Sequence, residues 1–227
     1  MMKKIIVAID GYSGTGKSST AREVAKALDY IYVDSGAMYR AVAFYMLQNS
    51  IDVNDHEKVV SALPKIELNF KSSQLGAANE IYLNGIKIEK EIREPAVSAV
   101  VSKVASLSAV RKLLVEQQQA IGKEKGVVMD GRDISTVVFP TAELKIFMTA
   151  NVKIRAERRA EELKNAGVII ELSEIENNLT ERDMLDSTRK DSPLLKDDES
   201  IEIDTSYMSF EDQVLKIVDL AHQARGL

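Results

Sequence analysis

Gly11-Tyr12-Ser13-Gly14-Thr15-Gly16-Lys17-Ser18 fits the pattern G-x-x-x-x-G-K-[ST] at every position. Just before it, Ile5-Ile6-Val7-Ala8-Ile9 is a short apolar, β-branched run that reads as a buried strand. Just after it, Val24, Ala25 and Leu28 fall at helical spacing, so Lys17 to Leu28 reads as a helix. The octapeptide therefore lies between a strand and a helix, where a phosphate-binding loop works. Glycines let the backbone curl until successive N–H groups face one concavity. The helix N-terminus adds unpaired donors and a partial positive charge. In such a loop Lys17 reaches the β- and γ-phosphates, and the Ser18 hydroxyl can ligate Mg2+.

The 227 residues can bury a sizeable core, in one domain with an insertion. Hydrophobic residues make up 45% and charged residues 29%, as in a soluble globular protein. The net charge of −5 argues against a non-specific nucleic-acid binder, though not against a local basic pocket for a small polyanion. With no Cys there is neither a disulfide framework nor a thiolate metal site. The N-terminal apolar run stops at Asp10, too soon for a signal segment or a membrane span, so the expectation is a cytoplasmic protein without a membrane partner. His56 and His222 lie in polar surroundings and read as surface positions.

Along the chain, strands and helices alternate. Tyr30 to Val33 reads as a strand ended by Asp34-Ser35-Gly36, with Ser35 capping a helix over Ala37 to Leu47. Asp55 to Leu63 reads as a helix closed by Pro64. Residues 66–92 change character: Ile66 to Phe70 alternates apolar and polar, Ser72 to Asn79 is a polar loop, and Asn84-Gly85 is a hairpin turn between Ile81-Tyr82-Leu83 and Ile86-Lys87-Ile88. This predicts a small antiparallel sheet inserted into the alternating chain. Pro95 opens a helical region to Ile121, split at Ser108. Gly126 to Met129, Leu144 to Met148 and Ile201 to Ile203 read as further strands. Val152 to Ala166 is a charged helix ended by Gly167, and Ser173-x-x-Glu176 is a capping box for a helix through about Asp186. Ser209 caps a last helix to Ala224, whose apolar stripe is Val214, Ile217, Val218 and Ala221. The pattern predicts an α/β fold with a parallel sheet flanked by helices. In such sheets ligands bind at the carboxyl ends of the strands. The phosphate loop, Asp34-Ser35-Gly36 and Asp130-Gly131-Arg132-Asp133 all follow predicted strands and should meet there.

Three charged groupings bear on the chemistry. An acid at the end of an apolar strand, Asp130, can hold Mg2+ directly or through water. A plain turn is the alternative, although two acids flanking Arg132 are more than a turn needs. Arg155, Arg158 and Arg159 share a helix face, either as a surface relieved by Glu157, Glu161 and Glu162 or as a clamp for a polyphosphate. Arg182, Asp186 and Arg189 align along the next helix, as an ion-pair row or as part of the same site. The two Arg-bearing helices form a helix pair that reads as a lid. Phosphoryl transfer needs positioning and charge neutralisation above all. The number of arginines points to a kinase whose acceptor is itself anionic.

On these segments, with Ala37-Met38-Tyr39-Arg40, Thr136-Val137-Val138-Phe139-Pro140 and Glu181-Arg182-Asp183, the whole chain resembles the bacterial cytidylate kinases (CMP/dCMP kinases) of the nucleoside monophosphate kinase family. The resemblance implies a P-loop fold of three parts: a core over 1–63, 94–152 and 190–227, a monophosphate-binding insertion at about 64–93, and a lid at about 153–189. It implies that Gly11, Tyr12, Ser13, Gly14, Thr15, Gly16, Lys17, Ser18 and Ser19 bind ATP with Arg155, Arg158 and Arg159. It implies that Ser35, Tyr39, Arg40, Arg132 and Arg189 hold the acceptor phosphate. Ser102, Arg111 and Asp133 would read cytosine, and Arg182 and Asp186 would meet the ribose. Lys17, Arg132, Arg155, Arg159 and Arg189 would carry catalysis, with Mg2+ at Ser18 and Asp130. Relatives often have Pro where this chain has Tyr12. The implied reaction converts ATP and CMP or dCMP into ADP and CDP or dCDP, in a monomer.

The alternatives are a P-loop kinase for another monophosphate or small phosphorylated metabolite, a GTPase switch and a nucleic-acid-remodelling ATPase. The switch lacks its guanine-reading Asn-Lys-x-Asp and any Asp-x-x-Gly. The ATPase fits neither the acidic balance nor the small size.

Overall fold

The computed structural model describes residues 3–72, 79–165 and 167–226. A parallel sheet of five strands runs in the order β2-β6-β1-β7-β8. The strands are β1 (Ile6–Gly11), β2 (Ile31–Asp34), β6 (Val127–Gly131), β7 (Leu144–Thr149) and β8 (Ile201–Asp204). Between β2 and β6 the chain makes an antiparallel sheet of three strands, β3 (Leu68–Ser72), β4 (Asn79–Leu83) and β5 (Ile86–Lys87). The inserted small sheet is thus present. Asn84 and Gly85 take φ of 50° and 81°, as its hairpin turn requires. Residues 73–78 of the expected polar loop lie outside the described residues, and Ser72 and Asn79 are themselves paired strand ends.

Burial on both faces explains why the strands read as continuous apolar runs. Side chains alternate across the sheet. Val7, Ile9, Val128, Ile146 and Met148 face α1 (Lys17–Leu28) and α8 (Phe210–Arg225). Ala8, Val33, Val127 and Met129 face α2 (Ser35–Gln48), α4 (Pro95–Ala105) and α5 (Ser108–Ile121). The small sheet sends Ile81 and Leu83 into that second cluster. A short α3 (His56–Ala62) runs on through Pro64 into a 3-10 turn rather than stopping there. His56 and His222 are exposed.

Two charged helices, α6 (Val152–Asn165) and α7 (Leu172–Thr188), pack on each other around a small core of Ala156, Ile175 and Leu179. Gly167 takes φ 79° beyond α6, and Ala166, expected as its last residue, lies outside the described residues. Two expected caps are corrected. Asp34, not Ser35, caps α2 by accepting from the Ala37 amide, because Ser35 is already helical and turns its hydroxyl to the Asp130 carbonyl. The capping box at Ser173 does not form. The helix starts two residues earlier, at Leu172 with Glu171 as its cap position, and the Glu171 carbonyl accepts from the Glu174 and Ile175 amides. The cap expected at Ser209 is present, accepting from the Asp212 amide, and Ile217 and Ala221 of its stripe are fully buried.

Candidate active site

The register places the ends of three strands level. Asp34 pairs with Asp130 across β2 and β6, and Asp10 pairs with Gly131 across β1 and β6. Close approach there demands glycine: a Cβ on Gly11 would meet the Met148 carbonyl oxygen at 2.1 Å, and one on Gly131 would meet Ser35 Oγ at 2.5 Å. Asp10, fully buried, accepts from the Ile134 and Ser135 amides at 2.8 and 2.7 Å and from the Ser135 hydroxyl at 2.6 Å. It thereby ties the strand that feeds the phosphate loop to the turn that carries Arg132 and Asp133.

The loop itself ends on Gly16 in the left-handed conformation, and no side chain among the described residues caps α1. The first amides of α1 are left for an anion. Lys17 is buried and donates to the Tyr12 carbonyl at 2.9 Å. Burial, then Arg132, lowers its affinity for a proton, while Asp130 opposes them. Ser18 Oγ donates to Asp130 Oδ2 at 2.7 Å, and Tyr32 donates to Asp130 Oδ1 at 2.8 Å. Burial, then Asp34, pushes the Asp130 carboxyl up, and Lys17 and the two hydroxyls pull it down.

A single cleft runs from the loop across the sheet edge. Its wall carries Lys17 and six arginines against four aspartates, in a chain of net charge −5. At one end Arg111 pairs with Asp133, both nearly inaccessible to solvent, and also reaches the Ala105 carbonyl at 3.1 Å. The Arg111 guanidinium lies 5.5 Å from the Tyr39 ring centre. Burial pushes the Asp133 carboxyl up although Arg111 and Arg189 stand beside it. On α7, Asp186 accepts from Arg132 Nε at 2.7 Å, and Arg189 at its C-terminal end lies 3.7 Å from Asp133. Arg182 is pushed down to about 10 by burial and then by Arg132. Tyr39 OH, Arg182 Nε and Arg189 Nη2 are buried without a hydrogen-bond partner among the described residues. Arg40 reaches Ser98 Oγ at 2.9 Å, and Ser102 is exposed at the rim.

The arginines of α6 do not act as one face. Arg155 is buried and bonds the Ser13 carbonyl at 2.9 Å, Asp183 at 2.7 Å and the Ala150 carbonyl at 3.0 Å. Arg158 instead bonds the Thr205 carbonyl at 2.6 Å, and Arg159 is exposed and paired with Glu162. The helix places these residues at different angles to the sheet edge, so of the three only Arg155 contacts the phosphate loop. Asp183, which carried no role in the sequence, accepts from the Ser13 amide at 3.4 Å as well. Arg93, at the end of the small sheet's segment, lines the cleft beside Asp34 and was not anticipated either.

A phosphate loop on a parallel sheet, an acid on the adjoining strand and a cationic cleft under a helix pair define a P-loop kinase. One solved structure of like fold, an uncharacterised protein from Eubacterium ventriosum, has a TM-score of 0.50 at 12% identity and 99% coverage of both chains. The cytidylate kinase family profile matches residues 7–223. A cytidylate kinase of Flavobacterium johnsoniae is 53% identical over 225 residues, 97% of this chain and 97% of that one. One of Cytophaga hutchinsonii is 50% identical over 220 residues, 97% of this chain and 94% of that one. The chain belongs to the cytidylate kinase family. Among the described residues no helix is long and apolar enough to cross a membrane.

Proposed function

We propose that the chain transfers the γ-phosphoryl group of ATP to CMP or dCMP, giving ADP and CDP or dCDP. An oxygen of the acceptor phosphate attacks the γ-phosphorus in line, and the bond to the β–γ bridging oxygen breaks toward ADP. The observation that carries the acceptor side is the set of buried donors on Tyr39, Arg182 and Arg189 that have no hydrogen-bond partner among the described residues. Buried donors without partners are costly, and a bound anion would satisfy them. With Ser35, Arg40 and Arg132 they would hold the acceptor phosphate and ribose, alongside Asp186. The loop from Gly11 to Ser19 and Arg155 would hold ATP, with Arg158 and Arg159 joining on closure of the lid. Lys17 keeps donors free for the β- and γ-phosphates, where charge develops.

Arg111 and Asp133 offer a donor and an acceptor side by side. Cytosine presents an amine at position 4 and an acceptor beside it, whereas uracil reverses both. A carboxylate is acceptor-only, so Asp133 would accept the amine and repel the uracil carbonyl. Ser102 would add a rim contact. For Mg2+, two hard oxygens 2.7 Å apart at the loop's end fit a cation that takes one or two protein ligands and completes its shell from phosphates and water. Bound by Ser18 and Asp130, it would supply charge neutralisation between the β- and γ-phosphates. The resemblance further supports a division into core (1–63, 94–152, 190–227), monophosphate-binding insertion (64–93) and lid (153–189). It also supports a cytoplasmic monomer.

A coupled ADP-release assay across CMP, dCMP, UMP, AMP and GMP tests the reading. Turnover should be highest with CMP or dCMP. Preference for a purine monophosphate would overturn it.

A further inference from the structure

Asp130 is held at both oxygens, and the second contact comes from a residue that no motif contains. Tyr32 lies on β2 with 5% of its surface exposed. Parallel pairing sets Tyr32 beside Val128 and Asp34 beside Asp130. Since strand side chains alternate, Tyr32 and Asp130 share a face one step apart, within reach of an aromatic side chain. The phenol donates to Asp130 Oδ1 at 2.8 Å while Oδ2 accepts from Ser18 at 2.7 Å. The Arg22 guanidinium stands 5.6 Å from the Tyr32 ring centre. A phenol facing a carboxylate can only donate, so this contact fixes the rotation of the carboxylate.

We propose that Tyr32 is a positioning residue for the metal side of the site: it grips Asp130 by Oδ1 and keeps Oδ2 turned to Ser18, where the divalent cation of the phosphoryl donor binds. This rests on the assignment of Ser18 and Asp130 to that cation. The partners that orient metal-ligating carboxylates commonly matter 10–100-fold for metal affinity. Here the donor's phosphates hold the cation too, which places the effect at the lower end, about tenfold.

Tyr32→Phe removes the hydroxyl and keeps the ring, so the side chain refills its own space. Mn2+ titrated by electron paramagnetic resonance in the presence of ADP is the binding probe, with Mg2+ half-saturation of ADP formation as the second readout. Both should rise about tenfold in Tyr32→Phe, with kcat at saturating Mg2+ largely kept. In an Asp130→Asn background, where Mn2+ binding is already weak, adding Tyr32→Phe should change nothing more. Wild-type Mn2+ binding by Tyr32→Phe would overturn the proposal. So would an undiminished effect of Tyr32→Phe in the Asp130→Asn background, because it would not pass through the carboxylate. Unchanged Mn2+ binding in Asp130→Asn alone would remove the metal assignment itself, and the proposal with it.

Discussion

At the ends of β1 and β6 the working side chains rest on backbone and on one another at fixed points of the sheet. Asp10 takes two amides of the turn after β6, Lys17 donates to the Tyr12 carbonyl, and Ser35 bonds the Asp130 carbonyl. The α6–α7 pair is held differently. Its own buried core is Ala156, Ile175 and Leu179, and at about 1.5–3 kcal/mol for each large apolar side chain this amounts to a few kcal/mol. Arg155–Asp183 ties its two helices together, and against the sheet edge the pair is anchored by the Arg132–Asp186 ion pair and by the bonds of Arg155 and Asp183 to Ser13. Backbone anchors persist whether or not a ligand is present. Ion pairs between arginine and aspartate can be exchanged for arginine and phosphate, which is what a lid over a polyphosphate needs.

The largest effect belongs to the rigid sheet edge. Lys17→Ala removes the one lysine at the loop while its neighbours stay in place, and kcat should fall by about 10²–10³, the usual effect of losing a fixed donor where charge develops. Wild-type kcat in that variant would leave the loop without a catalytic part. Next in size, Asp133→Asn keeps shape but adds a donor. The preference for CMP over UMP in kcat/KM should shrink by about 1–3 kcal/mol, roughly ten- to hundredfold. Thermal unfolding must be followed alongside, because Arg111 and Asp133 are a buried pair and breaking one costs about 3–5 kcal/mol. A proportional fall for both substrates would make Asp133 a purely structural acid. The smallest effect belongs to the lid: Asp183→Asn weakens the hold on Arg155 and the Ser13 amide. A charge-assisted hydrogen bond is worth about 1.5–3 kcal/mol, so hydrogen exchange in α7 should quicken about tenfold or more. No change in exchange would mean that the lid is held by packing.

What the sequence shows and what it hides follows the same division. The sheet, the inserted hairpin and the phosphate loop are legible because strand runs, Asn84-Gly85 and the glycines of the loop act within a few residues of themselves. Caps are less legible, since Asp34 and Ser35 are both good capping residues and only the Asp130 carbonyl, 95 residues away, decides what Ser35 does. Asp10 has its partners 124 and 125 residues away, and Tyr32 donates to a carboxylate 98 residues away, so neither carries a local signal. The arginines of α6 read alike at i, i+3 and i+4. Their fates part because Arg155 meets the phosphate loop, Arg158 meets the Thr205 carbonyl and Arg159 meets water and Glu162.

Hydrogen exchange with and without ATP and CMP together measures the division between a preformed edge and a charge-held lid most directly. Binding should slow exchange in Val152–Asn165 and Leu172–Thr188, as arginines trade carboxylates for phosphates. Exchange in Ile6–Gly11 and Val127–Gly131 should stay as it is. Unchanged exchange in the two helices, or equal slowing in the two strands, would contradict it.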